Sequence, residues 1–117
     1  MISSVRSTLS ALNAFDKKMD VIANNVANVE TEEFKKSRAT LVEGPESNVK
    51  VEITQPEDPG PTVVKVKDGQ IEETEMSNVD LTEEIPQSIV AQRGYEANLT
   101  MIRTQDEMLN SILDIVG

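Results

Sequence analysis

VIANNVANVETEEFKKS, residues 21–37, joins two kinds of sequence. Upstream of it, Ile2, Val5, Leu9, Leu12, Phe15, Met19, Ile22 and Val26 follow one another at steps of three and four, the period of one helix face. Downstream come a basic cluster, Lys35, Lys36 and Arg38, and then β-branched runs. Between the two lie three asparagines, Asn24, Asn25 and Asn28. Asparagine is poor inside a helix because its amide competes for backbone hydrogen bonds. Asn28 reads either as a helix C-cap, a role that suits the residue, or as part of a polar ladder with the other two. Asn24 and Asn25 lie a turn too early for capping to account for both. An amide donates and accepts at once, so these residues fit a polar ladder that ties neighbouring helices in register. The stretch therefore predicts a helix over 2–28, capped at Ser3 or Ser4, followed by a turn. The basic cluster reads either as a solvated face or as a docking surface for the acids of a neighbour.

A second helical pattern occupies residues 80–116. Tyr95, Ile102, Leu109 and Val116 repeat at seven, as Val5, Leu12, Met19 and Val26 do in the first helix. Leu99, Ile112 and Leu113 widen the stripe, and Met101, Met108 and Ile115 form another row. VDLTEE supplies a start, with Thr82 favoured over Asp80 as N-cap because Pro86 then falls near the first turn. Gly94 lies inside the pattern, where it lets another helix approach closely while Tyr95 packs in the seam with its hydroxyl bonded. Gln92, Arg93 and Asn98 flank that pair.

The middle is different. NVKVEITQ alternates as a half-buried strand, PEDPGP is a turn cluster, and TVVKVKDGQIEET holds two short strands around Asp68-Gly69, a strong hairpin signal. Three short strands make a module that does not stand alone. The expected fold is mainly α with a small β insert. The long N- and C-terminal helices pack as an antiparallel coiled coil (residues 1–30 and 80–117), and a turn and short β-hairpin module (31–79) lie between them.

Composition narrows function. The apolar fraction is 38% and the aromatics are Phe15, Phe34 and Tyr95 alone, which suits an elongated protein with a narrow seam better than a globular core. Net charge is −10. Residues 1–28 carry three cations against two acids, whereas 55–84 carry nine acids against Lys65 and Lys67. An acidic middle argues against nucleic acid and against an anionic membrane surface. With neither Cys nor His, there is no disulfide, no thiolate metal site and no imidazole base. Paired carboxylates such as Glu72-Glu73 and Glu83-Glu84 lack the convergent groups that catalysis needs, so no enzyme, metal, cofactor or small-molecule substrate is expected. No apolar window is long enough to span a membrane, and residues 1–18 do not read as a secretory signal peptide.

ANNVANVETEEFKKSRATL resembles the N-terminal signature of the bacterial flagellar rod and hook family of axial proteins, and SNVDLTEEIPQSIVAQRGYEANLTMIRTQDEMLNSILDIV resembles that family's C-terminal domain. The short middle is more similar to proximal-rod members than to the distal rod or hook. Three positions depart from the pattern: Glu33 where a glycine usually precedes the aromatic, Gly94 where alanine is common, and Pro86 where a helix former is usual. The resemblance implies a structural subunit, exported through the flagellar type III apparatus without a cleaved signal. It implies assembly with itself and sister rod proteins into the tube of the basal-body rod, which crosses the periplasm. A coiled-coil adaptor or export-chaperone-like module is the alternative. The residues expected at subunit interfaces are Leu12, Met19, Ile22, Asn24, Asn25, Val26, Asn28, Gln92, Arg93, Gly94, Tyr95, Asn98, Leu99, Ile102 and Leu109.

Overall fold

A computed structural model describes residues 2–116. The element order is α1 (Ile2–Ala27), β1 (Arg38–Glu43), β2 (Val49–Thr54), β3 (Thr62–Lys67), β4 (Gln70–Glu75) and α2 (Leu81–Val116). The molecule is a rod of 82 × 23 × 19 Å, built from two long helices and two small antiparallel sheets. α1 starts at Ile2, so Ser3 and Ser4 are helical rather than caps.

α1 and α2 lie against each other. Ala11, Leu12, Ala14 and Ile22 are buried on α1, and Ala91 is buried on α2. Small residues bring the two backbones close. A Cβ on Gly94 would overlap the Phe15 ring, so the glycine makes room for an aromatic of the same chain. The inward face of α2 follows the heptad: Glu84 and Ala91 are buried, and Ser88, Asn98, Ile102 and Gln105 are half-buried. Much of that face is polar, which leaves the core thin.

The start of α2 differs from the expectation. Asp80, not Thr82, is the cap: its Oδ1 accepts from the Thr82 amide at 2.9 Å and from the Thr82 hydroxyl at 2.7 Å. Pro86 therefore lies in the helix proper and withholds the amide that would bond the Thr82 carbonyl. Pro86 and Thr82 are both exposed, so water serves that carbonyl at little cost.

Four strands form where three were expected. RATLVE (38–43) pairs with β2, with Leu41 opposite Val51 and Glu43 opposite Val49. Ala39, Leu41, Val49 and Val51 share a face that packs on α1, where the Val49 amide donates to Ser10 Oγ at 3.0 Å. β3 and β4 pair separately around Asp68-Gly69, both residues having positive φ, as a type I′ turn requires. This second hairpin is exposed along most of its length, including its Val66–Ile71 pair.

The connection from α1 to β1 turns at Glu33, which sits at φ 59° in the left-handed region. A side chain there costs about 1–2 kcal/mol, part of which a glycine would give back as unfolded-state entropy. Glu33→Gly is expected to raise stability by about 0.5–1 kcal/mol. Urea unfolding followed by circular dichroism checks it; a loss of stability would mean that the Glu33 side chain holds the turn.

Candidate functional site

The expected interface residues fall into three groups. Leu12 and Ile22 are buried and Met19 half-buried, all serving the contacts of α1 within the chain. Val26, Leu99 and Leu109 are exposed apolar residues. Val5 is exposed too, so only part of the first heptad seam is filled by the chain itself. Ile102 is half-buried on the inward face of α2, and Gln92 and Arg93 lie on its exposed side. Tyr95, expected in a closed seam, keeps 39% of its surface exposed.

The asparagines part company. Asn25 is 1% exposed and spends its whole amide inside the chain. Its Nδ2 donates to the Ser37 carbonyl at 2.7 Å, and its Oδ1 accepts from the Ser37 amide at 3.0 Å. Asn25 is therefore a clamp between the end of α1 and the approach to β1, not a rung between subunits. A primary amide can mimic a peptide group in this way, and no other small side chain presents a donor and an acceptor side by side. Asn28 closes the helix, the capping alternative: its amide reaches the Asn24 and Asn25 carbonyls at 3.2 and 3.1 Å, and its Nδ2 donates to the Asn24 carbonyl at 2.8 Å. Asn24 itself is exposed. Asn98 bonds back along its own helix, to the Gly94 carbonyl at 2.8 Å.

The basic cluster is neither a solvated face nor free for a neighbour's acids, because acids of the same chain meet it. Lys36 Nζ bonds Glu83 at 3.0 Å, and Arg38 pairs with the same carboxylate. Lys35 pairs with Glu75 and donates to the Asp58 carbonyl at 3.2 Å. The Lys36 bond, with further help from the charges of Lys36 and Arg38, holds the Glu83 carboxyl below its ordinary pKa despite some desolvation. Glu75 is lowered by its bond to Lys35 and then by the Gly60 amide, and Asp80 by its bonds to Thr82.

Asn78 completes the junction and was missed in the sequence. Its Oδ1 accepts from the Lys36 amide at 2.6 Å, while its Nδ2 donates to the Pro56 and Asp58 carbonyls at 3.2 and 2.9 Å. Its own amide donates to the Phe34 carbonyl at 3.2 Å. Asn25 and Asn78 thus hold residues 34–37 from two sides and orient α1, β1 and the start of α2.

The segments joined here are the two that known proteins share. The profile described as "Flagella basal body rod protein" matches residues 6–35, and that described as "Flagellar basal body rod FlgEFG protein C-terminal" matches residues 73–115. The chain belongs to the flagellar basal-body rod and hook family. Among its relatives, the flagellar basal-body rod protein FlgG of Bacillus subtilis is 51% identical over 41 residues, 35% of this chain and 16% of that protein. The flagellar hook protein FlgE of Escherichia coli is 49% identical over 41 residues, 10% of its length. That of Helicobacter pylori strain 26695 is 44% identical over 41 residues, 6% of its length. The matched stretch thus spans a sixth or less of these relatives. The family is one of structural proteins, and no helix among the described residues is long and apolar enough to cross a membrane.

Removing the clamp should be costly. Asn25→Ala leaves the Ser37 amide and carbonyl unpaired in a partly buried site, an expected loss of about 2–4 kcal/mol. Asn25→Asp keeps the acceptor but sets a carboxylate against the Ser37 carbonyl, so it should rescue little of that loss. Thermal unfolding of both variants tests this; either one matching the wild-type midpoint would remove the clamp from the account.

Proposed function

We propose that this protein is a structural subunit of the flagellar basal-body rod, of proximal-rod type. It is exported through the flagellar type III apparatus and assembles with itself and with sister rod proteins into the tubular shaft that crosses the periplasm. In this reading, residues 1–30 and 80–117 form one discontinuous axial domain, an antiparallel helix pair, and residues 31–79 a small β module beside it. The pairing direction is supported by neighbours: Phe15 meets Gly94, while Ile22, later on α1, shares a cavity with Glu84, earlier on α2.

One observation carries the reading. The helices leave their richest apolar rows outside the contact they make with each other. On α2, Val90, Met101, Met108 and Ile115 stand exposed, as do Ile112, Leu113 and Val116. On α1, Ile2, Val5 and Leu9 do the same. Contiguous exposed apolar surface on this scale marks a binding face, and on an axial-family chain the natural cover is another axial subunit. The short middle segment supports a proximal-rod position over the hook.

Two measurements test it. Mass spectrometry of purified basal bodies should find the chain there. Met108→Asp changes a side chain exposed in the single chain, so the unfolding free energy should move by no more than about 0.5 kcal/mol. In a complementation assay, the same variant should still be secreted yet restore no motility. Normal swimming would remove the Met101, Met108, Ile115 row from the interface, and absence from basal bodies would overturn the reading.

A further inference from the structure

Beneath the Asn25 junction lies a cavity of about 470 Å³ between α1, β1 and the start of α2. Its apolar wall is made by Phe15, Val21, Ile22 and Leu41, and Lys18 and Glu84 also face it. Glu84 is 94% buried (6% exposed), yet among the described residues its carboxylate has no hydrogen-bond or ion-pair partner. The cations nearby are spoken for: Lys36 and Arg38 both bond the adjacent Glu83. Lys18 forms no ion pair with Glu84 among the described residues. The carboxylate is not sealed from water, since among the described residues only Gln105 Oε1 is a fully buried side-chain oxygen or nitrogen without a partner; it opens onto the cavity with no bond of its own. A cation delivered into this cavity would form a charge-assisted bond to that carboxylate.

The chain itself presents a matching piece. The first two turns of α1 expose Ile2, Val5 and Leu9 on one face, and Arg6 stands on that same face. Residues 2–15 contain no acid, and Arg6 has no carboxylate partner among the described residues. Of the other cations, Lys65 pairs with Glu32, and Lys50 and Lys67 stand on the β-hairpins rather than on an apolar helix face. Arg93 is bonded to Glu96 at 3.2 Å. Arg103 is followed at helical spacing by Asp106 and Glu107, and Lys17 by Asp20. Arg6 lies about 13 Å along α1 from Phe15, the first wall residue of the cavity, at helical rise, too far to reach Glu84 within one chain.

We propose that the Glu84 cavity is a socket for the first two turns of α1 of a second copy, with Arg6 paired to Glu84 and Ile2, Val5 and Leu9 seated on the apolar wall. This rests on the assembly reading above and names one contact within it. Plug and socket are different patches of the surface, so the contact is heterologous. Such contacts do not pair off into closed dimers but propagate head to tail, which gives an open polymer a direction.

The test is sedimentation velocity on the full-length protein over a concentration series at low salt, with thermal melts of each variant as monomer. Glu84→Gln and Arg6→Gln should each weaken self-association by roughly tenfold or more, the loss of one desolvated charge pair, and the double variant should lose no more than either alone. Glu84→Gln should leave the melting temperature of the monomer unchanged, because the carboxylate it removes makes no bond within its own chain. Arg6→Gln lies on an exposed face and should leave the melt unchanged. Arg6→Glu and Glu84→Arg proteins should fail to associate separately and associate when mixed. Association that ignores both Gln variants overturns the socket, as does a wild-type chain that stays monomeric. A Glu84→Gln monomer that melts lower, non-additively with Lys18→Met, shows that Glu84 serves its own chain and also overturns it. A chain found in basal bodies whose association ignores Glu84 and Arg6 sinks the socket alone; a chain absent from basal bodies sinks the assembly reading.

Discussion

One side-chain amide sets the geometry of this molecule. Asn25 reads both backbone groups of Ser37, and so fixes where the chain goes after α1 ends. With Ser37 held, Lys36 and Arg38 are placed on Glu83, and the start of α2 is drawn against the end of α1. Asn78 secures the same four-residue stretch from the far side, through the Lys36 amide and the Phe34 carbonyl. The exposed parts of these ion pairs contribute modestly. The buried amide bonds carry more, because their alternative is an unpaired peptide group away from water. The helices could not be registered by apolar contact alone. The inward face of α2 reads Glu84, Ser88, Ala91, Asn98, Ile102, Gln105, and an apolar stripe that sparse would slide.

That inward face also explains the outward one. A two-helix protein of this size has little core to spend, and this chain buries mostly alanines: Ala11, Ala14, Ala39 and Ala91. Its larger apolar residues remain on the surface, most of all toward the C-terminal end of α2, where Ile115 and Val116 are 84% and 81% exposed. Such a surface is a liability in a monomer and a requirement in a polymer subunit, whose stability is completed by its neighbours. Gln105 fits the pattern: its Oε1 is buried without a partner on the inward face of α2.

Much of this was legible in the sequence. The spacing from Ile2 to Val26, and that from Tyr95 to Val116 together with the VDLTEE start signal, marked both helices to within a residue or two. Asp68-Gly69 marked its hairpin, since few other pairs accept two positive φ values. β1 was not legible: Arg, Ala, Leu and Glu in RATLVE suit helices as well as strands, and only pairing with β2 decides the matter. Asp80 prevailed over Thr82 as cap because the aspartate accepts two bonds at once, which outweighs one carbonyl left to water beside Pro86. The role of Asn25 was out of reach for a plainer reason. Composition shows that an amide sits near a helix end, but whether its partner is a neighbouring helix or residue 37 of the same chain depends on the path of the loop. Glu84 was hidden likewise, as the second of two adjacent acids of which only the first finds cations.

The central claim is that the single chain is ordered around the Asn25 junction and unfinished elsewhere, its outer apolar rows awaiting neighbours. Amide hydrogen exchange on a dilute, verified monomer, compared with the same protein in assembled form, addresses this directly. In the monomer, residues 11–27 and 84–98 should exchange slowly while 2–9 and 106–116 exchange fast, and assembly should protect all four segments. Uniform strong protection along both helices in the monomer would contradict the account, since it would mean that the chain is complete on its own.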